Sequence, residues 1–124
     1  MHELSIAVSL IEAACEEVGR LGEVRIAALH LRLGALSGVV RQALEFSFEL
    51  AAAGTAIEGA RLEIEEIPVA VLCPHCGEER ELPSLQHFRC PVCDTPTPDV
   101  VRGRELELTA LEILEGAENA VPDR

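Results

Sequence analysis

The segment "CPHCGEERELPSLQHFRCPVC", residues 73–93, limits what this chain can fold into more than any other stretch. It reads C-x2-C, thirteen residues, then C-x2-C. Two residues between cysteines let one tight turn aim both sulfurs at a single point, and Pro74, Gly77 and Pro91 are residue types such turns use. Two turns facing each other supply four thiolates, a tetrahedral donor set suited to zinc with Zn–S bonds of ~2.3 Å. Four thiolates leave no open coordination position, so Cys73, Cys76, Cys90 and Cys93 are expected to hold a structural zinc. The apolar complement of the segment, Leu82, Leu85, Phe88 and Val92, is too thin to fold it alone, so the metal is expected to make its folding possible. His75 and His87 lie inside or beside the turns. They read as surface residues, with exchange against a thiolate as the sharper alternative.

Around this segment the apolar periodicity alternates between helix and strand. Leu4, Val8, Ile11, Cys15 and Val18 recur at three- and four-residue steps and predict the inner face of a helix. Glu12, Glu16 and Arg20 form its solvated face, and Gly19 and Gly22 stop it. Cys15 on that stripe reads as a small core residue. Val24 to Leu33 predicts a strand with Leu29, Leu31 and Leu33 on one face and His30 and Arg32 on the other. The loop "GALSG" leads to a second helix, Val39 to Ala53, whose expected inner stripe is Val39, Ala43, Phe46, Leu50 and Ala53. In "ARLEIEEIPVAVL" Leu62 and Ile64 point inward, the alternation changes phase at Glu66, and Pro68 marks an edge or exit. "GRELELTALEIL" predicts a last strand with Leu106, Leu108 and Ala110 inward.

The order helix, strand, helix, strand, cysteine module, strand implies an α/β fold: two helices packed on a small mixed three-stranded sheet, with an inserted zinc-ribbon module. The strands flanking the second helix suit a right-handed crossover, and the third strand is expected beside the second. The expected domains are 1–68 plus 101–115, a ribbon domain over 69–100, and a disordered tail over 116–124.

Charge narrows the function. The chain of 124 residues has a formal net charge of −12, with ten arginines and no lysine, and its aromatic residues are Phe46, Phe48 and Phe88. An acidic surface repels phosphate backbones, and base stacking needs exposed aromatics beside basic grooves. No stretch of ~18 residues lacks charge, so no membrane span is expected. Glu3 replaces the basic start of a secretory signal, so a cytoplasmic protein is expected.

The opening "MHE" is ambiguous by itself. Glu3 near a helix start is favoured by the helix dipole, and a polar lead-in needs no further explanation. The chemistry also permits a metal site. The amine of Met1, the backbone nitrogen of His2 and its imidazole can close adjacent chelate rings, a planar nitrogen set suited to Ni(II) or Cu(II).

"MHELSIA" at the start, the order of elements and the C-x2-C…C-x2-C insertion together resemble the hydrogenase nickel-insertion proteins of the HypA/HybF family, from Met1 to about Glu115. The resemblance implies a nickel metallochaperone, not an enzyme, that delivers nickel to the large-subunit precursor of [NiFe] hydrogenase. It implies cooperation with a HypB-type nickel-binding GTPase and, in some organisms, with urease maturation factors. It makes His2 the nickel ligand, with the Met1 terminal amine and Glu3 as backbone donor or supporting neighbour, and the four cysteines the zinc ligands. Two other readings remain. A zinc-ribbon adapter or nucleic-acid-binding module predicts a basic ribbon face, whereas this ribbon carries Glu78, Glu79 and Glu81 against Arg80 and Arg89. A thiol oxidoreductase predicts free thiols and no bound zinc.

Overall fold

The computed structural model describes residues 3–22 and 24–114; the tail expected over 116–124 lies outside them. The elements run α1 (Glu3–Leu21), β1 (Ile26–Gly34), α2 (Arg41–Ala52), β2 (Arg61–Ile67), β3 (Ala70–Leu72), β4 (Glu79–Glu81), β5 (Val100–Arg102) and β6 (Leu106–Ile113). The chain divides into two compact units. One contains residues up to 31, 39–64 and from 108 onward; the other contains 32–38 and 65–107.

The first unit carries both helices, and α1 packs against α2. Its core is Ala7, Leu10, Ile11 and Ala14 of α1, Ile26, Leu29 and Leu31 of β1, Leu44, Phe48 and Ala52 of α2, and Ile57. The face expected of α1 is buried only from Ile11 onward, and the face expected of α2 is not buried. In α1, Leu4 is 52% exposed and Val8 is exposed, while Ile11 is buried and Cys15 and Val18 pack at the margin of the core. The buried line runs through Ala7, Leu10, Ile11 and Ala14. In α2, Phe46 is 63% and Leu50 58% exposed, opposite the buried Leu44 and Phe48. Both faces of α2 are apolar, so periodicity could not choose between them.

The main sheet has the order β2-β1-β6. The Gly34 amide donates to Glu105 O at 2.7 Å and the Leu114 amide to Arg25 O at 2.8 Å, so β1 and β6 run antiparallel. The Ala35 amide donates to Ile67 O at 2.9 Å and Arg32 sits 3.9 Å from Glu65, so β1 and β2 advance together in parallel, joined through α2. The last strand, expected beside β2, thus pairs with β1. As the most apolar strand, β1 takes the centre, where both its edges are hydrogen-bonded. Leu108 and Leu111, rather than Leu106 and Ala110, reach the core from β6. In β2 the alternation breaks at Glu65–Glu66, and the buried Ile67 ends the strand directly before Pro68. His30 covers the open sheet face, as expected, and pairs with Glu112 at 3.2 Å.

The second unit adds a small sheet of order β4-β3-β5, both pairings antiparallel. Its core is small: Val69, Val71 and Leu82 are buried, with Leu36, Phe88 and Val100 against them. Within this unit Gly34 approaches the chain at Gly103 and Arg104 so closely that a Cβ on residue 34 would land on the Gly103 carbonyl. The obstacle is backbone, held by the Leu36 amide donating to Gly103 O at 2.6 Å.

Gly34→Ala should therefore destabilise the protein by about 3 kcal/mol, at the upper end of overpacking costs. Thermal unfolding should show a midpoint roughly 10 °C lower. A midpoint within two degrees of the parent would contradict this close approach.

Candidate metal centre

Two short turns with the same backbone pattern build the centre. After Cys73, the Gly77 amide donates to Cys73 O at 2.8 Å and the Cys73 amide to Glu78 O at 3.0 Å. After Cys90, the Asp94 amide donates to Cys90 O at 2.8 Å and the Cys90 amide to Thr95 O at 2.8 Å. Both turns close on a residue in the left-handed region, Gly77 at φ 71° and Asp94 at φ 64°. Glycine adopts it freely, and aspartate tolerates it better than most side chains.

Each turn aims backbone amides at its own first sulfur. Cys76 N–H points to Cys73 Sγ at 3.3 Å, and Val92 and Cys93 N–H point to Cys90 Sγ at 3.4 and 3.5 Å. Such donors stabilise thiolate over thiol. Across the turns, Cys73 and Cys93 sulfurs lie 3.5 Å apart, Cys76 and Cys93 3.6 Å, and Cys76 and Cys90 3.9 Å. All four sulfurs lie within 4.8 Å of one another. Sulfurs bound tetrahedrally at ~2.3 Å would sit roughly 3.8 Å apart, so the donor set fits zinc. Cys73 and Cys90 are buried and Cys76 and Cys93 half-buried.

The thiols are electrostatically unequal. At Cys76 the Arg80 guanidinium favours the thiolate, but the Cys93 sulfur, burial and the other two sulfurs outweigh it and push the pKa up to about 11. At Cys90 burial favours the thiol, but the Cys93 and Val92 amides prevail and bring it down to about 6. The Thr95 hydroxyl, 3.1 Å from Cys93 Sγ, lowers that thiol as well. Arg80 itself, facing the sulfurs of Cys76 and Cys90, is held in its protonated form. Sequence reasoning assigned nothing to Arg80 or Thr95. Arg80 had a signal, as a lone cation among Glu78, Glu79 and Glu81.

His75 and His87 are exposed and stand outside the four-sulfur group. Met1 and His2 lie outside the described residues. Glu3 opens α1, half-buried, and its Oε2 accepts a hydrogen bond from the Val40 amide at 2.9 Å.

Comparison with known proteins agrees with this arrangement. The family model described as "Hydrogenase/urease nickel incorporation, metallochaperone, hypA" matches residues 1–113. The chain is 54% identical over 112 residues to the hydrogenase maturation factor HypA of Roseiflexus sp. (strain RS-1), covering 90% of this chain and 91% of that relative. It is similar to a solution structure of a HypA protein, with a TM-score of 0.65 and 26% identity, covering 92% of this chain and 97% of the other. The solution structure of the Ni metallochaperone HypA from Helicobacter pylori gives a TM-score of 0.59 at 26% identity, covering 92% and 98%.

Cys73→Ser or Cys90→Ser should lose the bound metal and melt β3, β4 and β5, read as lost amide protection over 69–102, while α1 and α2 keep their helical signal. Metal binding should also be proton-linked. With Cys76 at about 11, its proton must leave on ligation at any pH below that, and with Cys90 at about 6, a second proton competes below pH 6. Metal affinity, measured by chelator competition, should therefore fall as pH falls, and more steeply below pH 6.

Proposed function

The chain belongs to the HypA family of hydrogenase/urease nickel-incorporation metallochaperones, and from that premise we propose that it carries Ni(II) to the large-subunit precursor of [NiFe] hydrogenase. The family is one of carriers and not of enzymes, so function rests on holding and releasing a cargo. In this reading the cysteines keep a structural Zn(II). Nickel is held by His2, with the Met1 amine and a main-chain nitrogen at or beside Glu3 completing a nitrogen set.

The observation that carries the reading is the family match over 1–113, which spans "MHE" as well as the four-sulfur cluster. The two donor sets have different metal preferences. Thiolates in a tetrahedron suit zinc, and planar nitrogens suit nickel or copper. One chain can thus keep a resident ion and a cargo ion apart without either displacing the other. Copper would compete at the nitrogen set by intrinsic affinity, so selectivity in the cell falls to metal supply and partners. The partner proposed is a HypB-type nickel-binding GTPase, with urease maturation factors where a urease is served. The cytoplasm is the proposed compartment; no helix among the described residues is long and apolar enough to cross a membrane.

Ion pairing in the ribbon counts against the nucleic-acid reading. Arg80 is turned to the sulfurs and to Glu78, Arg102 pairs with Glu79, and Arg89 lies 3.9 Å from Asp94. Cations engaged by neighbouring carboxylates are poorly placed to neutralise a phosphate backbone.

His2→Ala should abolish high-affinity nickel binding in calorimetric titrations while zinc content and thermal stability stay unchanged. A peptide fused ahead of Met1 should weaken binding as well, because it consumes the terminal amine. Unchanged nickel affinity in His2→Ala would reject the site. For the recipient, cells lacking the protein should accumulate nickel-free hydrogenase precursor, and added external nickel should partly restore activity. Full activity at trace nickel would reject the delivery role.

A further inference from the structure

Glu3 is in the motif proposed to hold nickel, yet its carboxylate is engaged elsewhere. Oε2 accepts the Val40 amide at 2.9 Å, a contact between residues 37 apart in sequence. Val40 is the N-cap of α2, in extended conformation (φ −86°, ψ 117°), and its own side chain can cap nothing. The first turn of α2 contains no acid, and it opens on Arg41, a cation at the positive end of a helix. Helix starts leave amides without intrahelical partners and favour negative charge. Glu3 of α1 supplies one such acceptor and the negative charge.

We infer that Glu3 is a positioning residue whose carboxylate clamps the start of α1 to the N-cap of α2 through the Val40 amide, and that this clamp, not metal contact by the carboxylate, is how Glu3 serves nickel binding. The inference rests on the N-terminal nickel site proposed above. Its physical basis is preorganisation. The proposed donors lie at or before Glu3 in the chain, and a backbone anchored at residue 3 has less conformational freedom to lose when an ion gathers them. The clamp also makes α2 a structural partner of the site although α2 need supply no ligand.

The hydrogen bond can be cut from either side, which separates clamping from ligation. Val40→Pro removes the amide donor and leaves Glu3 intact; proline suits φ near −86°, and an N-cap amide is outside the helical hydrogen bonds. Glu3→Ala removes the acceptor. Glu3→Gln keeps an acceptor oxygen for Val40 but is a poor metal ligand. Val40→Ala keeps the donor. Nickel dissociation constants, zinc content and thermal midpoints would be measured on the untagged full-length protein, with His2→Ala in parallel.

Expected are an increase in nickel dissociation constant of about tenfold for both Val40→Pro and Glu3→Ala, as for loss of one charge-assisted hydrogen bond. The double variant should be no worse than either single variant. Glu3→Gln should stay within about threefold of the parent, Val40→Ala should match it, and zinc content should be constant throughout. If Glu3→Gln binds as poorly as Glu3→Ala, or a folded Val40→Pro binds as tightly as the parent, the clamp is rejected while His2 remains the ligand. If Val40→Pro does not fold, the Glu3→Ala and Glu3→Gln pair decides. If His2→Ala retains full affinity, the nickel site itself is rejected and the clamp with it.

Discussion

Four sulfurs within 4.8 Å of one another repel as thiolates unless a cation lies among them. That constraint governs the second unit. A core cluster of Val69, Val71 and Leu82, with Leu36, Phe88 and Val100 partly buried against it, is small against the conformational entropy of ordering the residues of this unit. Metal–sulfur bonds would supply what this core lacks, and the amides aimed at Cys73 and Cys90 ready the sulfurs for them. The sharing of work is uneven. Backbone amides of each turn point at its first sulfur, Thr95 serves Cys93 with both its hydroxyl and its amide, and Arg80 faces Cys76 and Cys90, one sulfur from each turn.

Local chemistry was legible in the sequence and long-range choice was not. The meeting of the sulfurs follows from spacing, because each pair is fixed by its own turn and only the approach of the two turns is non-local. The leucine alternation of β1 was equally plain, since one face is apolar and the other holds His30 and Arg32. The helix faces were misread for a physical reason. Large side chains suggest burial, but α1 turns Ala7 and Ala14 inward with Leu10 and Ile11 and leaves Leu4 and Val8 exposed, and α2 has two apolar faces between which only tertiary packing decides. The partner of β6 depends on which strand takes the sheet centre, which no local pattern records. Strands of three residues, such as β3, β4 and β5, are too short to show alternation at all. The contact from Glu3 to Val40 joins a side chain to a main-chain amide across 37 positions and leaves no sequence trace.

The two proposed ion sites illustrate how one small chain can handle two similar cations. Softness of donor and geometry of the donor set differ between them, and neither depends on affinity alone. The acidic surface adds little to that discrimination. Its negative field does not tell one divalent cation from another.

Neither compact unit is continuous in sequence, and this has a consequence in time. One unit needs residues as far as 107 and the other needs β6 beyond it, so neither is complete until those residues have been made. Within the metal centre, Cys73 and Cys76 are made before Cys90 and Cys93. Thirteen residues separate the second cysteine from the third, a delay of about one to three seconds at ordinary translation rates. For that interval the nascent chain carries half a site, two thiols whose partners have yet to be made.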